Sequence, residues 1–206
     1  MYYYIIIMVT SQFFPPIGLA GAGGVGKDTL CQFLIENFKN YPFKRYSIAG
    51  DTIKNDLNHL LLKTVNISAF TTNIHEKTSI RPLLVEYGRL MRNQTKGRYF
   101  IEKLQHKNDF GYNNIPVITD IRYAEYETDE LYWIKQEQKG LLIFLDREGI
   151  YPSNEFEEKN NIILRNNCHL YFNIQNKKDY NDALKPIAEK IIKTYHLCTG
   201  QCSAFK

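Results

Sequence analysis

Cysteine, tryptophan and long apolar runs are scarce in this chain, and each scarcity excludes something. The four cysteines, at positions 31, 168, 198 and 202 of 206 residues, show no paired spacing. That excludes a disulfide framework and points to a reducing, cytoplasmic setting, the host-cell cytoplasm if the source is a virus. His196, Cys198 and Cys202 gather near the end, but a structural zinc site takes four ligands and no fourth is near. No apolar run approaches the roughly 20 residues needed to span a bilayer, so no membrane partner is expected. The opening Met1–Val9 is apolar but short and lacks a basic flank. It reads as an extra strand or a frayed leader, with Met8 as an alternative start, and not as a targeting signal. Repeats and low-complexity tracts are missing too, and a hydrophobic fraction of 44% with 23% charged residues is that of a globular chain.

Excess charge is also small. A net charge of +4 does not by itself point to a polynucleotide. Its distribution is uneven: residues 77–107 hold eight Lys/Arg against two Glu, a local balance of +6 that leaves the remainder at −2. Aromatic residues within that stretch amount to Tyr87, Tyr99 and Phe100, too few for the stacking platform of a single-strand binder. A nucleic-acid partner is not expected. The stretch suits a small phosphate-bearing ligand, or is simply a solvated helix face.

What is present is an alternation of short apolar runs and helical patterns. Strands are predicted at Ile17–Ala20, Tyr46–Ala49, Ile115–Thr119, Leu141–Leu145 and Leu170–Ile174. Helical spacing marks Lys27–Asn40 (Leu30, Phe33, Leu34, Phe38), Asp51–Lys63, Ile80–Gln105 as one or two helices, Glu125–Lys139 and Tyr180–Tyr195. Residues 64–79 read as irregular, and Asp146–Asn161 as a charged connection flanked by Arg147 and Arg165, either a short lid or a plain loop. Parallel strands need crossover helices, so the fold expected is α/β: a parallel sheet of about five strands flanked by helices. The core would span 15–50 and 113–195, with a leader 1–14, a tail 196–206 and an inserted helical lobe, about 51–112, over the carboxyl edge of the sheet.

Gly21-Ala22-Gly23-Gly24-Val25-Gly26-Lys27 matches the phosphate loop G-x-x-x-x-G-K between a predicted strand and a predicted helix. Glycines let the backbone wrap an anion so that N–H groups face phosphate oxygens, the helix N-terminus adds partial positive charge, and Lys27 reaches the β- and γ-phosphates. Gly21, Gly23, Gly24, Val25, Gly26, Lys27, Asp28 and Thr29 are thus candidate triphosphate-binding residues. Asp28 stands where a hydroxyl usually ligates Mg²⁺. A carboxylate beside a triphosphate makes sense with a cation between them, so Asp28 is a candidate metal ligand, unless it merely favours the first helical turn. Thr29 then contacts the α-phosphate.

Asp120 closes the run Ile115-Pro116-Val117-Ile118-Thr119, the position of a second acidic metal ligand beside the loop, and Arg122 two residues on would meet charge developing on a transferring phosphoryl group.

Four blocks in order carry a resemblance: Gly26-Lys27-Asp28-Thr29; Ser47-Ile48-Ala49-Gly50-Asp51-Thr52-Ile53-Lys54; Arg81-Pro82-Leu83-Leu84-Val85-Glu86-Tyr87-Gly88 followed by Arg92; and Thr119-Asp120-Ile121-Arg122 followed by Ala124-Glu125-Tyr126-Glu127. Over residues 17–147 the chain resembles the bacteriophage-type deoxynucleoside monophosphate kinases, and more distantly animal-type phosphomevalonate kinase. The resemblance implies a P-loop kinase fold and ATP-dependent, Mg²⁺-assisted phosphorylation of a deoxynucleoside monophosphate. Lys27, Asp120 and Arg122 would be catalytic, Asp28 and Asp120 would hold the metal, and Lys54, Arg81 and Arg92 would hold the acceptor. Tyr123-Ala124 stands where the family has Phe-Pro-Asn, and Gly50 where it has aspartate. Small-molecule nucleotides are the expected partners, and a homodimer is compatible with them.

Two other readings compete. Asp146-Arg147-Glu148-Gly149 fits D-x-x-G and Asn176-Lys177-Lys178-Asp179 fits the guanine-reading N-K-x-D of GTPases. The two begin 30 residues apart, about half of what the intervening elements of a GTPase need. The other is a non-catalytic P-loop protein serving in binding or assembly; intact Lys27 and Asp120 argue against it.

Overall fold

The computed structural model describes residues 12–174 and 180–199. Most of the leader, the Asn176–Asp179 motif, and the tail cluster beyond His196 lie outside the described residues and side chains.

Five parallel strands, β1 (Ile17–Ala20), β2 (Phe43–Tyr46), β3 (Ile115–Ile121), β4 (Leu141–Arg147) and β5 (Leu170–Ile174), pair in the order β2-β3-β1-β4-β5. β1 and the first four residues of β3 read as unbroken apolar runs because helices cover both faces of the sheet. On one face α1 (Lys27–Asn37) and α7 (Tyr180–Thr199) pack over Ile17, Leu19, Val117 and Ile143. On the other, α4 (Arg98–Gln105), the short α5 (Glu130–Tyr132) with its π-helical continuation Trp133–Glu137, and α6 (Glu155–Asn167) cover Ala20, Ile118, Leu142 and Phe144. The α/β architecture predicted from the alternation is the one found. Between β2 and β3, α2 (Gly50–Val65) and α3 (Ile74–Thr95) form a hairpin closed by its own small cluster of Leu57, Leu61, Ala69 and Ile80. β1 lies centrally between β3 and β4, so the connections that leave it open a crevice at its carboxyl end, and the glycine loop hangs there. No described helix is long and apolar enough to cross a membrane.

Several predicted boundaries shift, each for a local reason. β2 covers 43–46 and not 46–49, because the N–H groups of residues 48–50 turn to the Asp120 carboxylate instead of a neighbouring strand. α3 begins at Ile74, inside the stretch read as irregular: Asn73 caps it by accepting from the His75 N–H, 2.9 Å, and its first turns are solvated, so no apolar stripe marked them. Helix also replaces the second half of the charged connection, where Asn154 caps α6 and accepts from the Glu157 N–H at 2.9 Å. The pattern N-x-x-E is the cue for such a cap. Conversely, Glu125–Glu130 is not continuous helix; Asp129 caps the short α5. The described end of the leader is tied down: the Phe14 N–H donates to Gly111 O at 2.8 Å and Phe13 meets Tyr112 edge-on.

Candidate functional site

The glycine loop has the backbone of a phosphate cup. Gly21, Gly24 and Gly26 adopt φ of 126°, 85° and 102°, where side chains are disfavoured. At Gly21 space forbids one as well, since a Cβ would lie 2.1 Å from the Leu145 carbonyl oxygen of β4. Val25 anchors the loop from below, fully buried against the α1 side of the core. Gly26 leads directly into α1, and Gly23, Gly24, Gly26, Lys27, Asp28 and Thr29 line one cavity of about 360 Å³.

Lys27 is 7% exposed, and its Nζ donates to Gly21 O at 2.6 Å and Ala22 O at 2.8 Å. Burial, followed by the nearby Arg122 charge, lowers its pKa to about 8, against the opposing pull of Glu157, Asp28 and Asp120. An ammonium held this way inside a glycine loop is short of anionic partners, and a polyphosphate would supply them.

Asp120 closes the cavity from the tip of β3, and its oxygens are heavily used. Oδ2 accepts from Ser47 Oγ at 2.7 Å and from the Ala49 and Gly50 N–H groups, both at 3.2 Å; Oδ1 accepts from the Ile48 N–H at 2.7 Å. The carboxylate therefore caps the start of α2 and locks the α2–α3 hairpin to the sheet. Oδ2 is saturated by three donors, whereas Oδ1 accepts one, so one of its two lone pairs remains.

Arg45, absent from the sequence prediction, reaches across the cavity from β2. Its Nε donates to Asp28 Oδ1 at 2.9 Å and its Nη1 lies 3.5 Å from Asp51 Oδ2. Partial burial opposes the charge on Asp28, but hydrogen bonds from Arg45 and Thr119 and the charges of Arg45 and Lys27 outweigh it and hold the carboxyl below its usual range. A β2 residue facing α1 could have been suspected only with the sheet order in hand, because 17 positions separate it from Asp28.

The four predicted basic residues fare differently. Lys54 and Arg122 both line the cavity with Arg45 and Asp120. Lys54 Nζ sits 5.9 Å from the Phe70 ring centroid, and the Arg122 guanidinium has no ion-pair partner among the described residues. Arg81 stands exposed on α3, likewise unpaired among the described residues and outside the cavity lining. Arg92 is the correction. At 4% exposure it is buried, its Nη2 lies 2.7 Å from Asp129 Oδ2 and its Nη1 3.1 Å from Asp129 Oδ1, and its guanidinium stacks 3.5 Å from the Tyr123 ring centroid. Three of its five N–H donors are engaged with Asp129 and Glu130, and the side chain lies outside the cavity lining. Through Glu130, whose Oε2 accepts from the Arg122 N–H at 2.7 Å and whose Oε1 lies 3.5 Å from Arg92, it supports the backbone that presents Arg122.

A second cavity of about 700 Å³ adjoins the loop at Ala22, walled by the 146–152 segment, α6 and β5. Asp146, first residue of the D-x-x-G match, belongs to this cavity and not to that of Asp28; its Oδ2 accepts from the Tyr171 hydroxyl at 3.0 Å and lies 3.4 Å from Arg165. Arg147 and Arg165, which flank the connection read as a short lid or a plain loop, line it as well.

Among the described residues no three carboxylate, histidine or cysteine side chains converge into a metal cage. The oxygens available, exposed Asp28 and the spare lone pair of Asp120, fit Mg²⁺, which keeps waters and arrives with substrate phosphates on one or two carboxylates.

No protein-family model matches the chain, and no curated protein matches it. Among solved structures, shikimate kinase from Aquifex aeolicus vf5 is similar over 87% of this chain and 97% of that one, at 15% identity and a TM-score of 0.42.

Proposed function

We propose that the protein is a P-loop kinase that transfers the terminal phosphoryl group of ATP to a deoxynucleoside monophosphate. The observation that carries the reading is one cavity in which Lys27 at the loop faces Asp28, Arg45, Lys54, Asp120 and Arg122. Phosphoryl transfer asks little covalent chemistry of a protein; alignment and neutralisation of oxygen charge suffice.

The loop backbone binds the donor phosphates, and Lys27 leaves the Gly21 and Ala22 carbonyls to pair with them. Arg122, held from behind through Glu130, faces the oxygens that gain charge during transfer. Lys54 and Arg45 lie on the acceptor side, at the foot of the α2–α3 hairpin, where fork and point-charge donors suit a monophosphate. Asp28 and Asp120 would hold Mg²⁺, which when bound neutralises phosphate charge and orients the phosphates. Ala22 separates this cavity from the second, whose volume suits a nucleoside. The resemblance carried by Gly26–Thr29, Ser47–Lys54 and Thr119–Arg122 supports the deoxynucleotide acceptor.

Incubation with ATP, Mg²⁺ and each of dAMP, dGMP, dCMP and dTMP tests the reading, and conversion of at least one to its diphosphate is expected. Hydrolysis of GTP with no diphosphate formed would transfer the case to a GTP-binding protein. No turnover of any triphosphate would favour a non-catalytic role.

A further inference from the structure

One loop amide is already occupied. The Gly23 N–H donates to Glu157 Oε1 of α6 at 3.3 Å. The other carboxylate oxygen, Oε2, accepts from the Ser153 N–H at 2.7 Å and from Ser153 Oγ at 2.6 Å. Glu157 is thus the third helical residue of a capping arrangement whose side chain reaches back along the chain and, with its free oxygen, touches the phosphate loop 134 residues away. The same carboxylate acts electrostatically on Lys27 and feels Arg122, the two cations expected to meet phosphate. A glycine-loop N–H, the loop lysine and a facing arginine form an anion's surroundings, and Glu157 stands among them.

We propose that Glu157 is an internal anion that occupies part of the phosphate cup and must be displaced by the incoming polyphosphate, so that its charge limits donor affinity. The inference rests on the P-loop reading above. It also couples two parts of the site. α6, which carries Glu157, contributes Glu158, Asn161, Ile162 and Arg165 to the neighbouring cavity, so the carboxylate links the loop to the helix that walls that cavity.

The alternative is that Glu157 serves only as a helix cap and its approach to Gly23 is incidental. Glu157→Gln separates the two, since the amide oxygen can still accept from Ser153 while the negative charge is gone. Glu157→Asp is the complementary variant: it keeps the charge but, one methylene shorter, cannot span both Ser153 and Gly23. Calorimetry with two probes, MgATP and inorganic tripolyphosphate, gives the readout, with thermal unfolding alongside. Glu157→Gln is expected to bind both probes about three- to tenfold tighter than the wild type, the scale of a half-exposed charge contact, and Glu157→Asp to bind them at least as tightly as the wild type. Equal or weaker binding by Glu157→Gln would overturn the inference whether or not its unfolding temperature falls, and leave a plain cap, while the phosphate cup stands. Binding of neither probe by the wild type or by either Glu157 variant would overturn the cup itself and this inference with it.

Discussion

Arg92 on α3 grips Asp129 at the start of α5 through two hydrogen bonds of 2.7 and 3.1 Å, with the arginine side chain 5% and the aspartate 0% exposed. The pair ties the long helix of the inserted hairpin to the segment that follows β3. Burial opposes the arginine charge, but the Asp129 hydrogen bonds and the Glu130 and Asp129 charges hold it firmly protonated. Removing one partner of such a pair leaves the other charged and dry. Arg92→Ala should therefore cost about 3–5 kcal/mol of stability in denaturant titrations. Arg92→Lys should recover only part of it, because an ammonium cannot reproduce the fork. An unchanged unfolding midpoint with a raised acceptor KM would return Arg92 to the substrate.

Asp120 has a structural duty that Asp28 lacks. Replacement of Asp120 by Asn turns one acceptor oxygen into a donor facing the N–H groups of residues 48–50. Asp120→Asn should lose about 1–2 kcal/mol of stability, the scale of a lost helix cap. Asp28 makes no such cap; its side chain is 70% exposed. Asp28→Asn should leave stability within about 0.5 kcal/mol and raise the Mg²⁺ concentration needed for half-maximal activity. Asp120→Asn should raise it as well, and an unchanged Mg²⁺ requirement in both variants would remove the metal from this pair.

Lys27 should make donor binding sensitive to pH. Its folded pKa of about 8 lies below the ordinary 10.5. Between these values the unfolded chain binds more protons, so this group makes folding more favourable as pH rises from about 8 to 10.5. Binding runs the other way, since only the ammonium attracts polyphosphate: MgATP affinity should fall above about pH 8, read by titration calorimetry from pH 7 to 9.5. Lys27→Ala should abolish that dependence and lower turnover by about 10²–10³-fold, as for loss of a single electrostatic donor.

Glu130 supplies an opposite slope. Burial, against the pull of Arg92, raises its pKa from 4.5 to about 8. A carboxyl raised by folding stabilises fully below its unfolded value and loses that contribution as pH rises through about 8. Glu130→Gln should flatten the decline in stability between about pH 4.5 and 8 measured by chemical denaturation, and an unaltered slope would place the titration elsewhere.

Arg81, exposed and unpaired among the described residues, is the remaining acceptor candidate outside the cavity. Arg81→Ala should raise the deoxynucleotide KM or lower kcat while MgATP affinity stays within about twofold, roughly the 0.5 kcal/mol of a surface change. No change in either acceptor parameter would remove it from the site.

The glycine loop, its strand and its helix were legible in the sequence by themselves. Glycine spacing dictates the positive φ angles, and an apolar run against a 3.6-residue period dictates the flanking elements. Asp120 and Arg122 line the cavity for the same local reason, a carboxylate at the end of a buried strand. Partnership was not legible. Whether Arg92 meets a phosphate or Asp129, whether Asp28 stands alone or against Arg45, and whether Glu157 caps a helix or also fills the cup depend on contacts between residues 17 to 134 positions apart. Local pattern determines which side chains an element carries and which face they share. Only the packing of sheet and helices determines which opposite charges are brought together and dried, and for a charged residue that decides between structure and chemistry.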